Sequence, residues 1–313
     1  MHLLWETGQR KSVLLPRVLN ASRISEILKG GKSFPPFPIK NMPAVQLTQL
    51  KAQINDLLWK YTRPEEFLED MHQLFEQHSF RVLRTGRGIQ SADLIPTYHI
   101  PQMVQYQLEI ALGQQCAENP KAALPLADTL WKDPYLEMRQ IAAFLLGQVP
   151  LNPPEAVLDR LTDWCQPNEN KAVLKAVLEK GSTRICRDMP DQWLGLAAQW
   201  ISTSEIPWQS MGLKGLLPLI DNREFENLPP IYRVISPLIQ TAKPELQSDL
   251  LAVINALANR SPTETFFLLR QLLSIGTTSN AHRMIRRTLP SFPAVDAARL
   301  REILKKFSEN ASG

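Results

Sequence analysis

The feature that most constrains this chain is an apolar spacing that starts near residue 44 and continues almost to the C-terminus. In "VQLTQLKAQINDLLWKY", Leu47, Leu50, Ile54, Leu57 and Tyr61 fall at intervals of three and four. In "TRPEEFLEDMHQLF", Phe67 is followed four residues on by Met71, which is followed three and four residues on by Leu74 and Phe75. Residues so spaced share one face of an α-helix, whereas a strand would need strict alternation. A helix that is apolar on one side only must bury that side against another element.

The pattern recurs from Pro101 onward and predicts helices near 101–117, 121–131, 134–148, 154–165, 169–180, 190–202, 206–220, 228–241, 244–259, 262–275, 280–289 and 294–308. Several starts carry physical signals. Thr62 stands three residues before Glu65, the spacing of a capping box. Asp133-Pro134, Asn152-Pro-Pro-Glu155 and Ser261-Pro-Thr-Glu264 set a capping side chain just ahead of a proline that suits a first turn. No alternating run reads as a hairpin. The expected fold is all-α, with connections of about 2–8 residues that favour antiparallel neighbours. Helix pairs spaced by about 35–45 residues fall in the range of HEAT-like and armadillo-like repeats, which stack into a right-handed α–α superhelix. Without a strict repeat consensus, a compact helical bundle is the competing architecture.

Residues 1–43 differ from the rest. "GGKSFPPFPIKNMP" cannot continue a helix. The segment is expected to be a basic arm with one short helix around 20–29, ending in a Pro-rich linker, and 44–313 the helical repeat domain. Charge follows this division. Residues 1–60 carry nine Lys/Arg against three Asp/Glu, and 280–313 carry seven against three. The body between them is left net acidic within a total of +4. Basic ends around an acidic body argue against a uniformly positive nucleic-acid channel and leave room for local basic strips.

Three widely spaced cysteines, Cys116, Cys165 and Cys186, have no metal-ligand spacing and fit a reducing compartment. His72 and His78 do not share a helix face, and no metal site or cofactor is expected. No apolar run approaches the roughly 18–20 residues of a membrane span. Glu6, Arg10 and Lys11 spoil a secretory signal, and Glu6 and Glu26 weaken a transit peptide. A cytoplasmic monomer is expected. No phosphate loop, dinucleotide fingerprint or serine elbow is present.

The candidate binding residues are basic and aromatic. Arg81, Arg84 and Arg87 share the glycine-containing run "RVLRTGRG", and Arg283, Arg286 and Arg287 share one helix face. Each cluster reads either as solvated surface or as a contact to nucleic-acid phosphates, and the second also suits an acidic protein partner. Trp131, Trp164, Trp193 and Trp200 read as core. Trp208, at the start of its helix, could offer a stacking surface. Gly212 and Gly215, inside a predicted helix, imply the close approach of a neighbouring helix.

Four segments resemble one known family in order and spacing. They are "TYHIPQMVQYQLEIA" (97–111), "LADTLWKDPYLEMRQIAAFLL" (126–146), "WISTSEIPWQSMGLKGLLPLI" (200–220) and "SNAHRMIRRTLPSF" (279–292). The family is the DNA alkylation repair proteins, HEAT-like superhelices some of which are DNA glycosylases. The resemblance covers about 100–300 and implies a concave binding face. It also implies an aspartate near aromatics opening a central helix, but "CQPNENKAVLKAVLE" (165–179) has neither Asp nor Trp. Glu169 is the nearest carboxylate, with Asp163 and Trp164 upstream. Where the family places an arginine, three residues after Trp208, this chain has Met211; where a further aromatic is expected it has Arg287. Lys171, Lys175, Arg184 and Arg187 form a third basic strip near the segment matching the family's catalytic one. The expectation is a non-catalytic HEAT-like protein that binds nucleic acid or a protein partner. The alternatives are an active glycosylase using Asp163 or Glu169, and a scaffold that binds proteins alone.

Overall fold

The computed structural model describes residues 46–79, 95–275 and 278–310, which fall in one compact unit spanning Val45–Gly313. The arm at 1–43, its expected helix at 20–29, and the cluster Arg81, Arg84 and Arg87 lie outside the described residues.

The described residues are helical, with no strand among them. The helices are α1 (Leu47–Leu58), α2 (Pro64–His78), α3 (Gln102–Glu118), α4 (Ala123–Lys132), α5 (Leu136–Leu146), α6 (Glu155–Trp164) and α7 (Lys171–Ala176). A π turn at Val177–Gly181 extends α7. Then come α8 (Thr183–Asp188), α9 (Pro190–Ser202), α10 (Ile206–Asp221), α11 (Pro229–Thr241), α12 (Gln247–Arg260), α13 (Pro262–Ile275), α14 (Ser279–Thr288) and α15 (Ala294–Asn310). None of them is long and apolar enough to cross a membrane.

The apolar stripes decide the packing. Leu50, Ile54 and Leu57 of α1, and Phe67, Met71, Leu74 and Phe75 of α2, are buried, while Leu47 is exposed in the first turn. Consecutive helices pack together, as α4 with α5, α9 with α10 and α12 with α13. Helices two apart also touch: α1, α3 and α5 in one row, α10, α12 and α14 in its continuation, and α2 with α4 and α13 with α15 on the other side. Contacts to the next helix and the one after it are the connectivity of stacked helix pairs.

Local details depart from the capping signals. Residue Arg63, not Thr62, precedes α2, and makes no side-chain cap. Helix α5 begins at Leu136 rather than beside Asp133, whose carboxylate instead accepts the Tyr135 N–H at 2.9 Å. Proline 154 precedes α6, so Asn152 caps nothing. Side chains that do cap include Asn170, accepting from the Ala172 N–H, and Thr278, accepting from the Ala281 N–H. In α2, Pro64 in the first turn already removes one unpaired donor, which lessens the need for a side-chain acceptor.

The glycines of α10 behave as their placement in a helix implied. A Cβ on Gly212 would lie 2.7 Å from the Ala197 carbonyl oxygen and 2.6 Å from Ile201. The close contact lets fully buried Trp193 donate its Nε1–H to the Gly215 carbonyl at 2.7 Å. Near the N-terminal end, His72 bridges Tyr98 and buried Asp133, while the carboxylate of buried Glu137 accepts the Tyr98 and His99 N–H groups at 3.1 and 2.8 Å. These bonds satisfy charges whose burial would otherwise cost several kcal/mol each.

Candidate binding groove

Helix α7, the π turn and α8 face α10 across a groove of about 1060 Å³. That lies just above the range for small-molecule sites, roughly 300–1,000 Å³. Leu174, Leu178, Met211, Leu217 and Pro218 give it an apolar floor. Charged side chains stand along it: Lys171, Lys175, Arg187 and Lys214, against Glu169, Glu179, Asp221 and Glu224. Among the described residues, no aromatic side chain lines it.

The π turn shapes one wall. Its residues Leu178 and Glu179 both line the groove. Behind them Gly147, just past α5, comes so close that a Cβ there would lie 1.9 Å from the Lys180 carbonyl oxygen. Such a turn adds one residue to a helical turn and redirects the side chains beyond it.

The sequence candidates scatter. Lys171 and Lys175 do line the groove, one helical turn apart. Lys175 lies 3.9 Å from Glu179, an exposed pair of little energetic weight. Arg187 also lines it, bonded to Asp188 at 2.8 Å, whereas Arg184 turns away to the Gln148 carbonyl at 3.0 Å. Glu169 stands at the edge, its carboxylate taken by Arg139 at 2.9 and 3.0 Å and by the Asn170 N–H at 2.8 Å. The Arg139 guanidinium lies 5.5 Å over the Trp131 ring, which stacks on Trp164 at 4.2 Å with an interplanar angle of 5°. Asp163 is exposed on α6 and is not part of the lining. Met211 is buried in the floor. Trp208 is half-buried, tilted against Trp200 at 6.4 Å, and is not part of the lining either. Arg283, Arg286 and Arg287 are exposed on α14, also outside the lining.

Sequence reasoning did not single out Lys214, which donates to the Ser210 hydroxyl at 2.8 Å and lies 3.4 Å from Asp249. Nor did it single out Asp221 and Glu224. A lysine or carboxylate on a helix carries no local sign of the groove it will face, because the opposite wall is some forty residues away in the chain.

Cys186 reaches the lining but is only 3% exposed. Burial pushes its thiol, and that of Cys165, up to about 12, and raises Cys116 as well. A thiol held neutral and buried is a poor nucleophile. Native protein at pH 8 should therefore react with a disulfide reagent at less than about a tenth of the rate of the unfolded chain. Rapid labelling of Cys186 in the native state would contradict this placement.

The model for the family described as DNA alkylation repair enzyme matches residues 109–287. No individual curated protein matches the chain. The matched stretch runs from within α3 to within α14, contains every residue of the groove, and covers more than half of the sequence. A stack of helices with a groove at its centre and a match of this extent leave one conclusion: the chain belongs to the DNA alkylation repair enzyme family.

Proposed function

We propose that this chain is a non-catalytic member of its family, a HEAT-like repeat protein that acts by binding nucleic acid or a protein partner. The observation that carries this reading is the groove lining. Breaking the glycosidic bond of an alkylated base develops positive charge on the sugar and on the departing base. Aromatic faces and a free carboxylate stabilise such charge. Here no ring among the described residues lines the groove, Lys171, Lys175, Arg187 and Lys214 do, and the Glu169 carboxylate is engaged by Arg139. Cations beside a developing cation oppose the reaction.

Nucleic acid would be met through its backbone, at Arg283, Arg286 and Arg287 on α14, outside the groove. The protein would work as a cytoplasmic monomer without a cofactor, with 1–43 as a basic arm to the repeat domain. A second reading, an active glycosylase, is favoured by the place of Glu169 at the groove edge, oriented by Arg139. A scaffold that binds proteins alone is favoured by Asp221 and Glu224 in the lining.

One assay separates these readings. Purified protein incubated with alkylated duplex DNA is expected to release no methylated purine, while binding a duplex at low salt with an affinity that falls steeply as salt rises. Base release abolished by Glu169→Gln or Asp163→Asn would overturn the proposal in favour of the glycosylase. Failure of duplex, branched and single-stranded DNA to bind at low salt would leave the protein scaffold.

A further inference from the structure

We propose that the groove between α7–α8 and α10 is a docking site for one amphipathic helix of a partner protein, laid parallel to α10. Its acidic end would rest over Lys171, Lys175 and Lys214, and its basic end over Asp221 and Glu224. This rests on the non-catalytic reading above, since a groove filled by a helix has no room for a base.

The charges of the groove are divided along its length. Asn222 donates its side-chain N–H to the Cys186 carbonyl at 2.9 Å, which brings the C-terminal ends of α8 and α10 together. Asp221 and Glu224 therefore mark that end. Helix α7, with Lys171 at its start and Lys175 one turn on, lies towards the other. Lys214 precedes Asp221 by two turns, about 10 Å along the α10 axis. Two charges that break the division have partners, Glu169 in Arg139 and Arg187 in Asp188; Lys214 in turn lies 3.4 Å from Asp249, so the basic end rests chiefly on Lys171 and Lys175. Glu179 stands in the middle, across a loose 3.9 Å pair with Lys175.

Shape and floor point the same way. From Pro207 to Asp221, α10 offers about 21 Å of wall, matching a helix of roughly 14 residues. Leu174, Leu178, Met211 and Leu217 present the kind of apolar strip that receives side chains spaced i, i+3, i+4 and i+7. Ordinary helices carry acidic residues in the first turn and basic ones in the last, which sets the parallel direction. A nucleic-acid strand fits worse. Its phosphates would face Glu179, Asp221 and Glu224, and its bases would find no aromatic surface.

The test is a display library of helical peptides of about 14 residues, selected on the full chain. Enriched peptides should carry the i, i+3, i+4, i+7 apolar pattern with acidic residues in the first turn and basic ones in the last. Their affinity should drop at least about tenfold against Lys171→Glu/Lys175→Glu. Adding Asp221→Lys and Glu224→Lys should turn the preference to peptides of the opposite charge order. All four positions are exposed, and circular dichroism checks that the variants fold. Absence of enrichment over an unrelated helical control, enrichment without charge order, or indifference to the substitutions would each overturn the proposal. So would a DNA duplex whose binding is lost with the same lysines, since that gives the groove to nucleic acid. Base release sensitive to Glu169→Gln would instead sink the non-catalytic reading, and is measured separately on alkylated DNA.

Discussion

Alanine at Gly147 is expected to lower the stability of the fold by about 3 kcal/mol, the upper range for forcing atoms into a packed interior. The added Cβ would lie 1.9 Å from the Lys180 carbonyl oxygen and 3.0 Å from its carbon. Both are backbone atoms, so no rotamer change relieves the clash, and the end of α5 and the π turn must separate. Gly147 has an ordinary helical φ of −71°, so the backbone itself would accept alanine. Its conformation alone would predict the opposite sign, a gain of about 0.4–1 kcal/mol from a less disordered unfolded chain. Gly195 in α9 supplies the control. Nothing lies within 4 Å of a Cβ built there, and Gly195→Ala should show that small gain. Urea unfolding of the two variants reads both signs. A Gly147→Ala protein as stable as the parent would mean that α5 and the π turn do not meet as described. Because Leu178 and Glu179 sit on that turn, the substitution should also disturb the groove.

Arg260→Met should cost a similar amount, about 3 kcal/mol, for an unrelated reason. The Arg260 guanidinium donates to the carbonyls of Ile220 at 3.0 Å, Asn222 at 2.8 Å, Arg223 at 3.2 Å and Phe225 at 2.7 Å. These include acceptors that the end of α10 leaves without a helical partner, and a cation there also opposes the negative end of the helix dipole. A hydrogen bond to a charged group is worth about 1.5–3 kcal/mol, but four bonds to one ion do not simply add. Lysine at this position should recover only part of the loss, because one ammonium cannot span four carbonyls as a planar fork does. The loss should be accompanied by faster amide exchange over 221–228, the connection to α11. Unchanged exchange there would contradict the account. Since Asp221 and Glu224 belong to this segment, Arg260 also holds the acidic end of the groove.

The periodic stripes carried most of the fold. Phe67, Met71, Leu74 and Phe75 are buried as their spacing implies, and the helices from α3 to α15 mostly begin within a few residues of their expected starts. What the period could not express is the break after α7. A single helix was expected over 169–180, whereas α7 gives way to a π turn and a separate α8 that no start signal marks. The cause is tertiary: the approach of Gly147 to Lys180, across some thirty residues, has no trace in either local pattern. The site was legible only in part. Lys171 and Lys175 stand out in the sequence as two lysines a turn apart, and both line the candidate groove. Glu169 was found as a carboxylate, but its engagement by Arg139 was not, since the partner is thirty positions away. Trp208 looked like a stacking surface because it opens a helix, yet it leans on Trp200, which the helix turn before it brings into reach.

Apart from Ala256, every lining residue falls within one run of chain, from Pro167 to Glu224, on either side of α9, which itself contributes none. The helices at either end of the stack contribute nothing to it. Within that run the two roles alternate along each helix: exposed Lys171, Lys175 and Lys214 face the groove, while neighbouring Val173, Val177 and Leu213 are buried in the stack. A few substitutions within that run can rewrite what the wall accepts without unsettling the scaffold. A lineage built on this plan is free to trade chemistry for recognition one short segment at a time.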